Sequence, residues 1–209
     1  MPSGILVRID SGGMKGGEAV QLGITIPLQR HLRLARPPYG EPDDLAFCWE
    51  AHRAALGGAD VLLLANASNR FAAFACMQPA DWRDWEAVAL AAMRASLATC
   101  GFDDRAIDAY LFFAGAPEVT RTHGRRPVAF LNVLVDKLLR LPLALDAAAE
   151  PFPLELCRLV NEHMPCKAAG FEGLGLPAER FAADLARLGI GMRVAAGQAS
   201  SSETDASAL

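Results

Sequence analysis

The segment Val61-Leu62-Leu63-Leu64-Ala65 constrains this chain more than any other. A short, wholly apolar run is what a central strand, covered on both faces, requires. Gly57-Gly58 precedes it and can supply the positive φ angles of a tight hairpin. Asn66-Ala67-Ser68-Asn69 follows and is rich in turn-forming side chains. Phe71 to Met77 then reads as the return strand. Trp49 to Leu56 becomes the first strand of a three-strand meander, although Glu50, Ala51, Arg53, Ala54, Ala55 and Leu56 favour helix by intrinsic propensity. The glycine pair and the strand beyond it outweigh that preference.

Other elements gather around this meander. Val20 to Ile26 reads as a strand. Pro27 suits the first turn of a short helix to Leu34, and Arg36-Pro37-Pro38-Tyr39-Gly40-Glu41-Pro42 must be a loop. Apolar spacing predicts a helix from about Asp81 to Cys100, with Trp82 and Trp85 as core anchors. Gly101 suits its left-handed stop, and Phe102 can pack back on the last turn. Asp103 can cap a second helix, Asp104 to Ala114. Glu118 to His123 alternates as an edge strand would, with Thr120 and Thr122 on one face and Val119, Arg121 and His123 on the other. Pro127 leads a helix to about Leu141, buried along Val128, Leu131, Leu134, Val135 and Leu138. On another face of that helix, Asp136 and Arg140 are spaced to pair. Leu154 to His163 and Ala178 to Leu188 add two more helices, which should pack on the rest.

The expected fold class is therefore α+β. It has a small antiparallel sheet (the three-strand meander plus one or two further strands) covered by helices, with a C-terminal helical extension from about residue 150. The expected organisation is a flexible segment over 1–18, one domain over 19–190 and a disordered tail over 191–209. Ile5 to Ile9 could add a short strand. The tail is too small and polar to offset its ordering entropy.

Composition excludes several classes. With 209 residues the chain can bury a core without disulfides or metals. The net charge of −4 and pI near 5.6 argue against a general nucleic-acid coat, which needs a basic stripe. No apolar run reaches the length of a membrane span, and the first residues lack a signal-peptide pattern. Five widely spaced cysteines suit a reducing compartment, so a cytoplasmic location is expected.

The candidate binding patch joins Asn66, Asn69 and Arg70 to Thr120, Thr122, Arg125, Arg126, Asn132 and Asp136. Asparagine and threonine offer donors and acceptors, and arginine offers a planar fork for carboxylate or phosphate. If the strands are adjacent, these groups converge at one end of the sheet. Turn chemistry and a solvated helix start explain the same residues and are favoured over a ligand site. His31, His52, His123 and His163 are scattered without metal-ligand spacing, so neither a metal nor another cofactor is expected. Cys157, His163 and Cys166 lack an orienting third group for thiol catalysis. Ser11 to Gly17 lacks the phosphate-loop order, and no dinucleotide or hydrolase fingerprint is present.

Trp49-Glu50-Ala51-His52, Val61-Leu62-Leu63-Leu64-Ala65-Asn66 and Asn69-Arg70-Phe71 occur in that order. They are followed by a long helix ending at Gly101, Thr120-Arg121-Thr122, Arg125-Arg126, and Val128 through Asn132 to Asp136. Residues from about Val20 to Leu141 thereby resemble an uncharacterised prokaryotic domain family, associated with plasmid open-reading-frame-three-like proteins of mobile elements. That family often places histidine directly after the tryptophan. Here Glu50 stands there and His52 is displaced. The resemblance implies an α+β fold with a small antiparallel sheet and carries no established activity.

The leading expectation is a non-catalytic interaction or accessory module, with a protein partner or a phosphate-bearing ligand. The second is an enzyme on a phosphate-bearing or nucleotide substrate. Arg70, Arg125 and Arg126 would bind phosphate there, with Asp136 or His52 in acid–base work. The third is nucleic-acid binding through Arg121 to Arg126.

Overall fold

A computed structural model describes residues 19–191. The expected strand at Ile5 to Ile9, the glycine-rich stretch from Ser11 to Gly17 and the polar tail beyond Gly191 lie outside the described residues. The meander forms as the sequence predicts, with β2 (Cys48–Leu56), β3 (Ala59–Asn66) and β4 (Ala72–Cys76) pairing antiparallel. Gly57 and Gly58 take φ of 56° and 89°, so two successive left-handed residues close the hairpin at Leu56 and Ala59. Tertiary pairing thus overrides the helix propensity of the Glu50 to Leu56 segment.

The remaining strands correct one expectation. The sheet is mixed, not antiparallel throughout, with the order β4-β3-β2-β1-β5. β1 (Val20–Ile24) runs parallel to β2 and also to β5 (Pro117–Arg121), which occupies the edge. The chain reaches β2 from β1 through helix α1 (Ile26–Leu32) and the proline-rich loop. A crossover of that length is what parallel pairing needs.

Strand alternation divides the interior into two layers. On one face Leu22, Trp49, Ala51, Leu62, Leu64 and Phe71 pack against α2 (Trp85–Thr99), α3 (Asp104–Ala114) and α6 (Pro177–Arg187). Trp49 donates its indole N–H to the Tyr110 hydroxyl at 2.8 Å, and that hydroxyl donates to the Ala46 carbonyl at 2.7 Å. On the other face Val61, Leu63, Ala65 and Phe74 lie under α4 (Arg125–Leu138) and α5 (Leu154–His163). Asp103 caps α3 as predicted, accepting the Ala106 N–H at 2.8 Å. The long helix expected from Asp81 is split, since a single 3-10 turn over Asp81–Arg83 precedes α2.

The open edge at β4 is closed by side chain and loop. Asn161 of α5 accepts the Ala72 N–H and donates to the Ala72 carbonyl, both at 2.8 Å. The Cys76 N–H donates to the Pro151 carbonyl at 2.8 Å. These contacts occupy groups that would otherwise template strand addition.

Candidate functional site

The expected convergence of Asn66 and Asn69 with the threonine segment does not form. Trp49 pairs with Asn66 on one side and Leu22 on the other, and Leu22 pairs with Val119. Three strand spacings, about 14 Å, therefore separate the asparagine corner from β5. Asn66 is fully buried; it accepts from the Ser68 and Asn69 N–H groups and donates to the Ala46 carbonyl. Asn69 accepts the Phe71 N–H and donates to Asp184 of α6, each at 2.9 Å. Both asparagines spend their bonding on the turn and on docking α6. Thr120 donates to the Arg121 carbonyl. Arg125 and Asp136 are exposed, and no ion pair joins Asp136 to Arg140 among the described residues.

Arg70 and Arg126 do meet, on the walls of a cavity of about 600 Å³ between α4, α5 and the 164–169 segment. Arg70 is 3% exposed and takes φ of 72°, in the left-handed region that an arginine rarely adopts. Its Nη1 donates to the Ala67 and Asn66 carbonyls, and its guanidinium lies 5.9 Å from the Phe130 ring centre. Among the described residues no carboxylate pairs with it. Burial pulls its pKa down against the opposing fields of Cys166 and Glu50, and the guanidinium stays charged. Arg126, Lys137 and Lys167 add three more cations, Phe130, Leu134 and Met164 supply apolar wall, and among the described residues no acidic side chain lines the space. Burial pushes the Cys166 thiol up, against the pull of Arg180, Arg70 and Lys137.

A family model for a domain of unknown function, DUF6933, matches residues 21–180. The chain belongs to this family. The matched span begins in β1 and ends inside α6, well beyond the Val20 to Leu141 stretch that carried the resemblance. It therefore contains the whole sheet except Val20, and every residue named on the Arg70 cavity. Comparison with curated proteins and with solved structures returns no match. Among the described residues no group of three or more His, Cys, Asp or Glu is placed to hold a metal ion. None of their helices is long and apolar enough to cross a membrane.

The DUF6933 domain also holds a buried polar core that sequence reasoning missed. His123 lies past the end of β5 and turns toward the Thr120 face, not to the Val119 face that alternation assigned it. Its backbone N–H donates to Glu50 Oε1 at 2.7 Å, and its Nδ1 stands 3.2 Å from the same oxygen. Nε2 faces Gln21 Oε1 at 3.0 Å. Since Thr120 gives its proton to a carbonyl, it too meets Nε2 as an acceptor. The side chains of Glu50 and His123 are 0% and 3% exposed, and neither lines the Arg70 cavity. Glu50 Oε2 has no hydrogen-bond partner among the described residues. Gly23 makes room for the pair, because a Cβ there would stand 2.6 Å from Glu50 Oε2 and 2.9 Å from His123 Nδ1. The one signal available in sequence was a charged residue, Glu50, inside a strand with apolar neighbours.

Proposed function

We propose that this protein is a non-catalytic binding module that holds an anion with an apolar body in the Arg70 cavity. The observation that carries the reading is a buried guanidinium with no carboxylate partner among the described residues, facing a space bordered by three further cations. A buried charge is costly until it is paired and hydrogen-bonded. A ligand carboxylate or phosphate would complete that pairing, since either matches the planar fork of arginine. Arg126, Lys137 and Lys167 raise the positive potential at the mouth. Phe130, Leu134 and Met164 offer surface for an apolar tail. Against an enzyme of the kind the sequence suggested, Arg70 and His52 line different cavities and Asp136 lines neither, so phosphate binding and acid–base work are not brought to one point.

We place the module in a reducing cytoplasm, in keeping with the wide spacing of its five cysteines, Cys48, Cys76, Cys100, Cys157 and Cys166. An accessory role on a plasmid or other mobile element would be read from the neighbouring genes. Decanoate is a suitable probe for the site. Calorimetric titration should give saturable one-to-one binding, with decanol at least tenfold weaker for want of charge. The exposed Arg126 and Lys137 can each be changed to alanine with little effect on the thermal midpoint, and each change should weaken decanoate several-fold. Equal affinity for acid and alcohol, or variants that bind like the parent, would refute the proposal.

A further inference from the structure

A second cavity, of about 680 Å³, lies on the other side of α4. It is bounded by the end of β1, the 36–39 loop and the residues that follow β5, and it contains Thr122 and Asn132 of the expected patch. From its lining we infer a site for a mononucleotide, with the base on Tyr39 and the phosphate on Arg36 and Arg121. This site is independent of the decanoate-type site proposed above.

Tyr39 is 71% exposed yet held in place. The Arg121 guanidinium lies 4.0 Å from its ring centre, covering one face. Arg121 is itself fixed, because its Nε donates to the Pro37 carbonyl and its backbone N–H to the Pro38 carbonyl, both at 2.9 Å. A tyrosine stacked on one side and open on the other is a ready platform for a planar heterocycle, and stacking of this kind tolerates any base. Among the described residues the terminal nitrogens of Arg121 have no hydrogen-bond partner. With Arg36 they form a pair of cations, and among the described residues no acidic side chain lines this cavity to compete for them.

At the floor, His52 is fixed by Thr25, whose hydroxyl lies 3.0 Å from Nδ1. That contact leaves Nε2 as the ring nitrogen available to a ligand. Burial lowers the His52 pKa, so near neutral pH the ring is uncharged and offers one directional hydrogen bond to a sugar hydroxyl or base edge. The side chain of Asn132, exposed on α4, supplies both a donor and an acceptor. The cavity volume lies within the roughly 300–1,000 Å³ of small-molecule sites.

Calorimetric titration of the full chain with AMP, GMP, CMP and UMP tests the inference. At least one should bind saturably at one-to-one stoichiometry. Guanosine and inorganic phosphate, each carrying half of the recognised chemistry, should bind more weakly. Tyr39→Ala and Arg36→Ala change exposed side chains and should fold normally, while each weakens the nucleotide ~tenfold. Arg126→Ala and Lys137→Ala, in the other cavity, should leave nucleotide affinity unchanged. Absence of saturable binding by all four nucleotides, or insensitivity to Tyr39→Ala, overturns the site. Loss of nucleotide binding in the Arg126 and Lys137 variants would move the nucleotide to the first cavity and overturn it equally. A single-stranded decanucleotide that binds more tightly than any mononucleotide would overturn the choice of a free nucleotide as ligand.

Discussion

Replacing Phe181 by alanine tests whether α6 belongs to the same cooperative unit as the sheet. Phe181 is 1% exposed. Its ring centre lies 5.0 Å from that of Tyr110, 5.1 Å from Phe71, 5.3 Å from Phe102 and 6.2 Å from Trp49. Truncating a phenylalanine in such a setting costs about 3–5 kcal/mol, counting lost transfer energy and the cavity left behind. The upper half of that range applies here, because four rings lose an edge or face partner at once. With a urea slope of about 2 kcal/mol per molar, a loss of about 4 kcal/mol moves the unfolding midpoint down by about 2 M. Tryptophan fluorescence, which includes Trp49 beneath α6, and far-UV circular dichroism should report one coincident transition. Phe112→Ala, at a side chain 78% exposed, is the control and should shift the midpoint by less than about 0.3 M. A Phe181→Ala midpoint within 0.5 M of the parent, by the same ~2 kcal/mol per molar slope, would refute the reasoning. Loss of helix signal before the tryptophan transition would do so too, since α6 would then unfold on its own.

Three further predictions follow from particular contacts. Asn161→Ala strips the partners from both backbone groups of Ala72 at the β4 edge, and it should cost about 2–4 kcal/mol by urea unfolding. Asn161→Asp, which aims a buried carboxylate at the Ala72 and Cys157 carbonyls, should cost at least as much as alanine. Burial holds the folded pKa of His52 below the usual 6.5, so the unfolded chain binds more protons in the interval between the two values. The stability contributed by neutral His52 is fully present above pH 6.5 and is lost as pH falls through the folded value, with a slope of at most about 1.4 kcal/mol per pH unit. Melting curves from pH 8 to pH 5 should show that decline in the parent and a flatter profile in His52→Gln. Gly23→Ala should lower the thermal midpoint by several degrees, since the new methyl group overlaps the Glu50 and His123 side chains. An unchanged midpoint would mean that this polar core has room to give.

Features set within a few residues were legible in the sequence by itself. The Gly57-Gly58 hairpin, the apolar central strand, the Asp103 cap and the positions of α3 and α5 follow from local backbone preference and side-chain periodicity. Those forces act over one turn or one strand, so they survive whatever the rest of the chain does. The turn chemistry of Asn66 and Asn69 was legible for the same reason, and it outcompeted their use in a patch. Tertiary structure alone decided the parallel pairing of β1 with both β2 and β5, because strand direction depends on crossovers and not on the strand's own residues. That pairing sets Gln21, Glu50 and Thr120 on one face of neighbouring strands and brings His123 against them, from positions far apart in the chain. It also sends Arg70 and His52 to opposite sides of α4. No periodicity carries such information, since a side chain's neighbours across a sheet are fixed by register and topology, and these emerge only when the whole chain closes on its core.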